Sequence, residues 1–374
     1  MLETIKRVNQ QTAAVNNRQL VIHLLLEHGQ LSRSQLVKLT DLRGSTLTYI
    51  TRELLGMKML KQAGQRESTT VGQKQQLLQI DPAYGWVIGI DMRLGESQVV
   101  ILDAKGQLVG DCLLNTDKDL SKLKRSLPKL IEKSAQQYDL SPDKLLGIGL
   151  GMPGIVDVQT GTVIRSDLFA MCDYDMAEEL TQALSIPVRV DHDANLIALA
   201  EQQQGSARGL RDFIVVIMDD EQVEDKIGYR SFGTALVLNG QVHRGSQFAA
   251  GELDQRLMPT INAIGTQADM QLLAQEDAPL SEWLSHVSEQ SSLTLASLVN
   301  LLDPQAVLLA GDRPIANQNF LDDLASRING MRIGHLPQPL QVHNCAFSTQ
   351  SCARGAALAA RDVTLAGAVA NYVR

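Results

Sequence analysis

The sequence predicts an α/β protein in which an N-terminal winged helix-turn-helix precedes a body of two α/β lobes. Three observations lead to this fold class: helical patterns fill the first 60 residues, basic residues concentrate there, and a three-strand pattern occurs twice further along. A chain of 374 residues has room for two or three domains at the usual ~100–200 residues each. Its 44% hydrophobic and 20% charged residues are typical of a globular protein and exclude a disordered or fibrous chain.

Charge is unevenly distributed along the chain. Residues 1–66 contain ten Lys and Arg against four Asp and Glu, a net charge of +6, whereas the whole chain carries −8. The remaining 308 residues therefore carry −14. A basic head on an acidic body predicts that the head binds a polyanion and that the body does not. The alternative is an ordinary fluctuation in surface charge.

Three helices are predicted in the head. The first spans about residues 17–28 and ends at Gly29, which suits a C-cap. The second begins at Ser32, where Ser-Arg-Ser-Gln has the form of a capping box. The third covers residues 45–55. Its apolar side chains fall on one buried face: Leu47, Ile50 and Leu54.

The opposite face of the third helix is polar and carries an arginine. Two short helices joined by a tight turn, with such a face outward, are what a helix-turn-helix needs to reach base edges in the major groove. Residues 56–64 then predict a small wing whose basic side chains face phosphates. The candidate DNA-binding residues are Arg33, Ser34, Ser45, Thr48, Tyr49, Arg52 and Lys58. The alternative is a helical packing module with no role in DNA binding.

The body contains a repeated strand pattern. Apolar runs at 86–92 and 98–102, followed by a turn into 107–112, predict a three-stranded meander. The pattern recurs at 213–218, 232–238 and 241–244. Two copies imply two similar α/β lobes that face a cleft.

Composition shifts divide the chain into four segments. Residues 67–80 are polar and rich in glutamine, which is typical of a linker. The predicted segments are a DNA-binding domain at 1–70, a linker at 71–82, a smaller α/β lobe at 83–190 plus 354–374, and a larger α/β lobe at 191–353 with a dimerisation surface.

Five motifs in the body occur in an order that resembles a known family. They are Asp91 after the first strand, Gly149-Leu-Gly-Met-Pro-Gly154, Pro187-Val-Arg-Val-Asp-His-Asp-Ala-Asn195, Ala249-Ala-Gly-Glu252 and Leu302-Asp-Pro-Gln-Ala-Val-Leu-Leu-Ala-Gly311. The chain resembles the ROK family of sugar kinases and sugar-responsive repressors, which implies an actin/hexokinase-like fold for the two lobes. The head resembles that of the repressor branch, the Mlc/NagC/XylR-type regulators, in which Leu31-Ser-Arg-Ser34 matches the entry to the second helix.

The resemblance also bears on enzyme activity. The family's kinases hold phosphate with a D-x-G-x-T loop and a G-T-G-x-G-x-G loop, whose glycines let backbone N–H groups approach oxygen atoms. Here Arg93 and Phe232 stand where glycines are expected. We therefore expect no kinase activity, no catalytic residue and no cofactor. The alternative is a ROK sugar kinase that carries a DNA-binding head.

An effector site is implied by the same resemblance. His192 and Asp193 stand at the Asn-Asp pair of the kinases, whose Asp is the general base on the sugar hydroxyl, and Glu252 resembles the family's sugar-contacting Glu. These three residues are the candidate effector-binding residues for a sugar or sugar phosphate. The alternative for Asp193 is an N-cap of a helix at 194–202. The alternatives for the body are another small ligand, a protein partner, or no effector.

The zinc site of the family is expected to be missing. The resemblance places a Gly-His pair and a cysteine-rich segment after Glu252. Asp254 and Gln255 replace the pair, and residues 256–275 contain no cysteine. Because tetrahedral zinc sites are built from Cys and His, we expect a divergent member that binds no metal.

Cysteine usage and the length of the apolar runs indicate where the protein is located. Four cysteines without clustered histidines suit a reducing cytoplasm, and the longest apolar runs are far shorter than the ~20 residues that span a bilayer. We expect a cytoplasmic transcriptional regulator, a repressor of carbohydrate uptake or metabolism genes, that binds double-stranded operator DNA as a homodimer or tetramer. A sugar or sugar phosphate is the expected effector, a sugar-transport protein is a further candidate partner, and no membrane association is expected.

Overall fold

The computed structural model describes residues 10–66, 75–223, 226–253, 266–311, 315–334 and 337–372. These ranges form a head, two α/β lobes, and two helices that lie between the lobes. The head consists of α1 (Gln10–His28), β1 (Leu31–Ser32), α2 (Arg33–Thr40), α3 (Gly44–Gly56), β2 (Leu60–Arg66) and β3 (Gln75–Ile80).

The three predicted head helices are confirmed. Gly29 has a φ of +76° and its N–H donates to the carbonyl of Leu25, so the chain leaves α1 in the left-handed conformation that glycine favours. Ser32 and Gln35 form the predicted capping box, each side chain accepting from the other's backbone N–H. A cap of this kind stabilises a helix by about 1 kcal/mol.

The predicted linker at 71–82 is wrong for residues 75–80. They form β3, the central strand of a three-stranded antiparallel sheet in which β1 and β2 are the neighbours. Leu78 and Ile80 of this strand are buried in the head core. Three of its six residues are glutamine, which gave the segment the composition of a linker, and its partner β1 lies far away in sequence, although β2 is the preceding strand. Residues 71–74 lie outside the described part of the chain.

The first lobe contains a five-stranded sheet in the order β11-β7-β4-β5-β6. Strands β4, β7 and β11 are parallel, and β4, β5 and β6 form the predicted antiparallel meander. Its elements are β4 (Trp86–Asp91), β5 (Gly95–Asp103), β6 (Leu108–Thr116), α4 (Leu120–Gln137), β7 (Leu145–Met152), β8 (Ile155–Asp157), β9 (Thr162–Ser166), β10 (Met171–Tyr174), α5 (Met176–Leu184) and β11 (Val188–His192). The predicted lobe boundary at 190/191 therefore falls inside β11.

The second lobe repeats this arrangement, which confirms the two copies expected from the sequence. Its sheet has the order β14-β13-β12-β15-β16, again an antiparallel meander followed by two parallel strands. Its elements are β12 (Phe213–Val223), β13 (Lys226–Leu238), β14 (Gln241–His243), α7 (Gln267–Leu273), α8 (Glu282–Leu302), β15 (Ala306–Ala310), α9 (Gln318–Gly330) and β16 (Gln341–Asn344).

Two helices pack between the sheets. They are α6 (Asp193–Gln204), which directly follows β11, and α10 (Ser351–Tyr372). Gly355 permits their close crossing, because a Cβ at this position would lie 1.8 Å from the carbonyl oxygen of Leu196. The lobes are therefore joined through a tightly packed helix pair.

The C-terminal half of α10 also anchors the head. Leu365 and Val369 of α10 are fully buried in the head core, and Gln19 of α1 donates to the carbonyl of Ala366. Burying two such side chains stabilises the contact by roughly 3–6 kcal/mol. No helix in the described ranges is long and apolar enough to cross a membrane.

Candidate functional site

The outer surface of α3 is the first candidate site. Ser45, Thr48, Tyr49 and Arg52 are all exposed on one side of the helix, and we call this set the α3 face. Leu47, Ile50 and Leu54 lie on the opposite side and are buried. Packing of that apolar side thus holds four polar side chains toward solvent.

A buried ion pair fixes α3 against α1. The Nε and Nη2 atoms of Arg18 lie 3.1 and 2.6 Å from Oε2 of Glu53, and the two side chains are only 7% and 14% exposed. Arg18 also donates to the carbonyl of Ala14. The guanidinium carbons of Arg18 and Arg52 each lie 5.9 Å from the ring centroid of Tyr49. The α3 face is therefore held in place by contacts that start from α1.

The other predicted DNA-binding residues have different surroundings. Arg33 is only partly exposed, and its Nε donates to Oγ1 of Thr51, so this arginine links α2 to α3. Ser34 is exposed and donates to Oε1 of Gln75 in β3. Lys58 is exposed in the turn between α3 and β2, with a φ of +57°. Of these three, only Lys58 has a side chain that forms no hydrogen bond or ion pair within the described ranges.

A cleft between the lobes is the second candidate site. It has a volume of about 260 Å³, and we call it the lobe cleft. Asp91 and Arg93 line it from the end of β4, Asp193 from the start of α6, and Ile217 and Gly311 from the second lobe. The cleft therefore lies at the carboxyl ends of parallel strands, where α/β sheets commonly bind ligands.

Arg93 fills part of the lobe cleft. Its Nε and Nη2 atoms both lie 2.8 Å from Oδ2 of Asp91, whose carboxylate is buried. A guanidinium bound to this carboxylate occupies the space that a glycine at position 93 would leave open. The sequence singled out Arg93 as a departure from a glycine, but it did not indicate this pairing.

The three predicted effector residues come together. Nε2 of His192 lies 3.0 Å from Oδ1 of Asp193 and 3.6 Å from Oε1 of Glu252. His192 is nearly buried, whereas the Glu252 side chain is about half exposed. This group presents two carboxylates and an imidazole, a set that suits hydrogen bonds to hydroxyl groups.

The N-cap alternative for Asp193 is wrong. Helix α6 begins at Asp193 itself, and its N-cap is His192. The Asp193 carboxylate accepts from the N–H of Ala194, the next residue, and makes no capping hydrogen bond. Burial raises the pKa of Asp193, while His192 acts in the opposite direction. A carboxylate with this environment at the edge of a cleft is typical of a functional group.

An ion pair across the two lobes was missed in the sequence. Nη2 of Arg244, after β14, lies 2.7 Å from Oδ2 of Asp191, and the Asp191 side chain is 4% exposed. Asp191 belongs to the same motif as His192 and Asp193, which is the only signal that pointed to it. The pair fixes the second lobe against β11 beside the effector residues.

The residues on which the zinc prediction depends lie mainly outside the described ranges. Residues 254–265, including Asp254 and Gln255, are not described, and neither is the Phe232 side chain. Within the described ranges there is no group of three or more His, Cys, Asp or Glu side chains that could hold a metal ion. The expectation of a missing zinc site therefore rests on the cysteine-free sequence alone.

The chain is similar to proteins of known structure or function. The family model described as "ROK family" matches residues 87–259. The xylose repressor of Caldicellulosiruptor bescii is 25% identical, over 84% of this chain and 87% of its own length. A solved ROK family transcriptional regulator, a homolog of the E. coli MLC protein, covers 97% of this chain and 99% of its own, with a TM-score of 0.75 and 18% identity.

A solved kinase shares part of this fold. The ROK family glucokinase from Streptomyces griseus, in complex with glucose and AMPPNP, covers 74% of this chain and 99% of its own. Its TM-score is 0.58 and its identity is 18%. The likeness to the kinase is therefore smaller in extent than the likeness to the regulator.

Proposed function

We propose that this chain is a ROK family member that acts as a DNA-binding transcriptional repressor of carbohydrate uptake or metabolism genes. The observation that carries the proposal is the α3 face, four exposed polar side chains on a helix whose other side is buried in a head of net charge +6. The name of the xylose repressor, whose likeness spans most of this chain, supports the carbohydrate context.

The head is proposed to act as a winged helix-turn-helix. Helices α2 and α3 would form the helix-turn-helix, with the α3 face on base edges in the major groove. Strands β2 and β3 would form the wing, and Lys58 lies at its start, placed to contact phosphate. Arg33 is assigned a positioning role, because its Nε is engaged by Thr51.

The body is proposed to sense a ligand and not to phosphorylate one. Arg93 carries its guanidinium into the lobe cleft and pairs with Asp91, where a phosphate loop needs open backbone N–H groups. His192, Asp193 and Glu252 would hold the hydroxyl groups of a sugar or sugar phosphate. Ligand binding would shift the population between arrangements of the head that fit and do not fit DNA.

The proposed assembly is a homodimer or tetramer in the cytoplasm. Leu301 and Ile333 in the second lobe are 78% and 81% exposed, which suits a surface covered by another copy. Light scattering on the purified protein measures the assembly directly. A pull-down with a sugar-transport protein tests the alternative in which a protein partner, and not a small ligand, controls the repressor.

A gel-shift experiment tests the DNA-binding proposal. Fragments of the source genome are incubated with the full chain, and retained duplexes are sequenced and then titrated singly. The double variant Tyr49→Ala, Arg52→Ala is expected to lower affinity for the retained duplex at least ~30-fold, at ~1–3 kcal/mol for each lost base contact. Lys129→Ala, an exposed lysine on α4 in the body, serves as the charge control and is expected to leave retention unchanged. Unchanged retention by the double variant would refute the assignment of the α3 face.

The alternative function is a sugar kinase with a DNA-binding head. It is favoured by the fold of the body and by Asp193 in the lobe cleft. It predicts ADP release with a hexose or N-acetylhexosamine that disappears in Asp193→Asn. A sugar panel without turnover would reject it.

A further inference from the structure

A second cleft lies where the head meets the body. It has a volume of about 350 Å³, and we call it the junction cleft. Its walls come from the C-terminal end of α1, the turn at Lys105 between β5 and β6, the end of α6 and the start of α10. The residues that line it do not overlap with those of the lobe cleft. One ligand in this place would touch the head, the first lobe and the α6–α10 helix pair.

Arg354 gives the junction cleft a buried cation with spare hydrogen-bond donors. The residue is 9% exposed, and its guanidinium carbon lies 4.2 Å from the ring centroid of Phe347, which fixes the guanidinium plane. Nη1 donates to Oε1 of Gln204 at 2.7 Å, whereas the buried Nε has no hydrogen-bond partner. A guanidinium carries five N–H donors, so most of those on Arg354 have no acceptor within the described residues.

The nearby buried carboxylate does not use these donors. Glu201 is fully buried and accepts hydrogen bonds from the N–H groups of Ser206 and Ala346 and from Oγ of Ser351. Its oxygens thus accept from the segment after α6, from the loop before α10 and from the first residue of α10. Arg354 remains available to a ligand acceptor.

The rest of the wall is also basic. Lys105 and Arg208 line the cleft, and the exposed Arg208 guanidinium forms no ion pair within the part of the chain that is described. Glu27 is the acidic residue of the described wall, and its carboxylate lies within 3.9 Å of Nε2 of both His23 and His28. The cleft wall therefore combines three cations, Arg354, Arg208 and Lys105, with one carboxylate.

We propose that the junction cleft binds a small organic anion through a phosphate or carboxylate group and thereby fixes the head relative to the body. Arg354 and Arg208 would supply planar N–H pairs that match either oxyanion, and Lys105 would add a point charge. An effect of the anion on DNA binding rests on the proposed function. Its structural basis is that the wall includes the end of α1, and α1 holds α3 through the Arg18–Glu53 pair.

Calorimetry on the full chain tests the anion site. The probes are glycerol 3-phosphate and D-glycerate, which present the two oxyanions on the same three-carbon frame, and glycerol as the neutral control. At least one anion is expected to bind saturably, with glycerol silent, and the stronger of the two identifies the oxyanion. Saturable binding of neither anion, or equal binding of glycerol, would overturn the proposal.

Variants locate the bound anion. Arg208→Gln is expected to weaken anion binding at least tenfold, and Arg354→Gln is expected to weaken it further. Because Arg208 is exposed, the Arg208→Gln variant still tests the site if the buried Arg354→Gln variant does not fold. Arg211→Gln removes the same charge three residues away, outside the cleft, and is expected to bind normally. Loss of binding in Arg93→Gln with normal binding in Arg208→Gln would place the anion in the lobe cleft and overturn the proposal.

The coupling has a separate readout. The anion is expected to change the affinity of the wild-type chain for a retained duplex at least fivefold, and to have no effect on Arg208→Gln. Anion binding with no change in DNA affinity would overturn the coupling. If no duplex binds at all, the proposed function fails, while the calorimetric result on the site still stands.

Discussion

The crossing of α6 and α10 at Gly355 makes a sharp prediction. In Gly355→Ala the new Cβ would lie 1.8 Å from the carbonyl oxygen of Leu196 and 2.5 Å from its carbonyl carbon. Both atoms belong to the backbone, so the helices must separate by more than 1 Å to restore a contact of ~3.4 Å. Overpacking of this kind costs about 3 kcal/mol, and the higher helix propensity of alanine returns about 1 kcal/mol. The expected net loss in the free energy of unfolding is about 2 kcal/mol.

Gly367→Ala is the matched control in the same helix. No atom lies within 4 Å of a Cβ at this position, so only the propensity gain of up to about 1 kcal/mol remains. Urea unfolding followed by circular dichroism should separate the two variants by about 3 kcal/mol, in opposite directions from the wild type. Leu196 lies one turn after Asp193, so Gly355→Ala is also expected to weaken ligand binding in the lobe cleft. The reasoning would be refuted if both alanines stabilised the protein equally.

Two further predictions concern the ionic groups of the sites. Arg18→Ala leaves Glu53 buried without its partner, so the stability of the head should fall by about 3 kcal/mol, measured by hydrogen exchange of the α3 amides. Arg165→Ala breaks an exposed pair and should have no measurable effect; equal exchange in both variants would contradict the prediction. Burial raises the pKa of Asp193, so the folded state loses stability as pH rises from about 4 through the raised pKa. Asp193→Asn should therefore be more stable than the wild type at pH 7 and equal to it below about pH 4; an advantage that persisted at pH 3 would contradict this origin.

Most of the head and the repeated sheets could be predicted, because their signals are local. Helical periodicity, the Ser32 capping box and Gly29 defined α1 to α3 without reference to the rest of the chain. The two meanders were recognisable in the sequence because their strand–turn–strand segments are similar. Strand β3 was missed because it is rich in glutamine and because its partner β1 lies far away in sequence.

The sequence identified the residues of the effector site, but it did not indicate the contacts between side chains or the position of the second cleft. His192, Asp193 and Glu252 were expected to act together, and the structure does bring their side chains together. The pairing of Arg93 with Asp91 was not predictable, because the residue types alone allow the arginine to face solvent. The junction cleft was invisible in the sequence, since its walls come from four segments that only the folded chain brings together.

Selection from random duplexes tests whether the α3 face reads DNA sequence. The full chain is incubated with a pool of double-stranded DNA containing a randomised core, and bound duplexes are amplified and sequenced over several rounds. We expect enrichment of two related half-sites whose centres are separated by about one helical turn or a multiple of it, as a symmetric dimer requires. The double variant Tyr49→Ala, Arg52→Ala is expected to enrich no sequence. No enriched sequence from the wild-type chain, or the same motif from both proteins, would contradict the claim that the α3 face reads DNA.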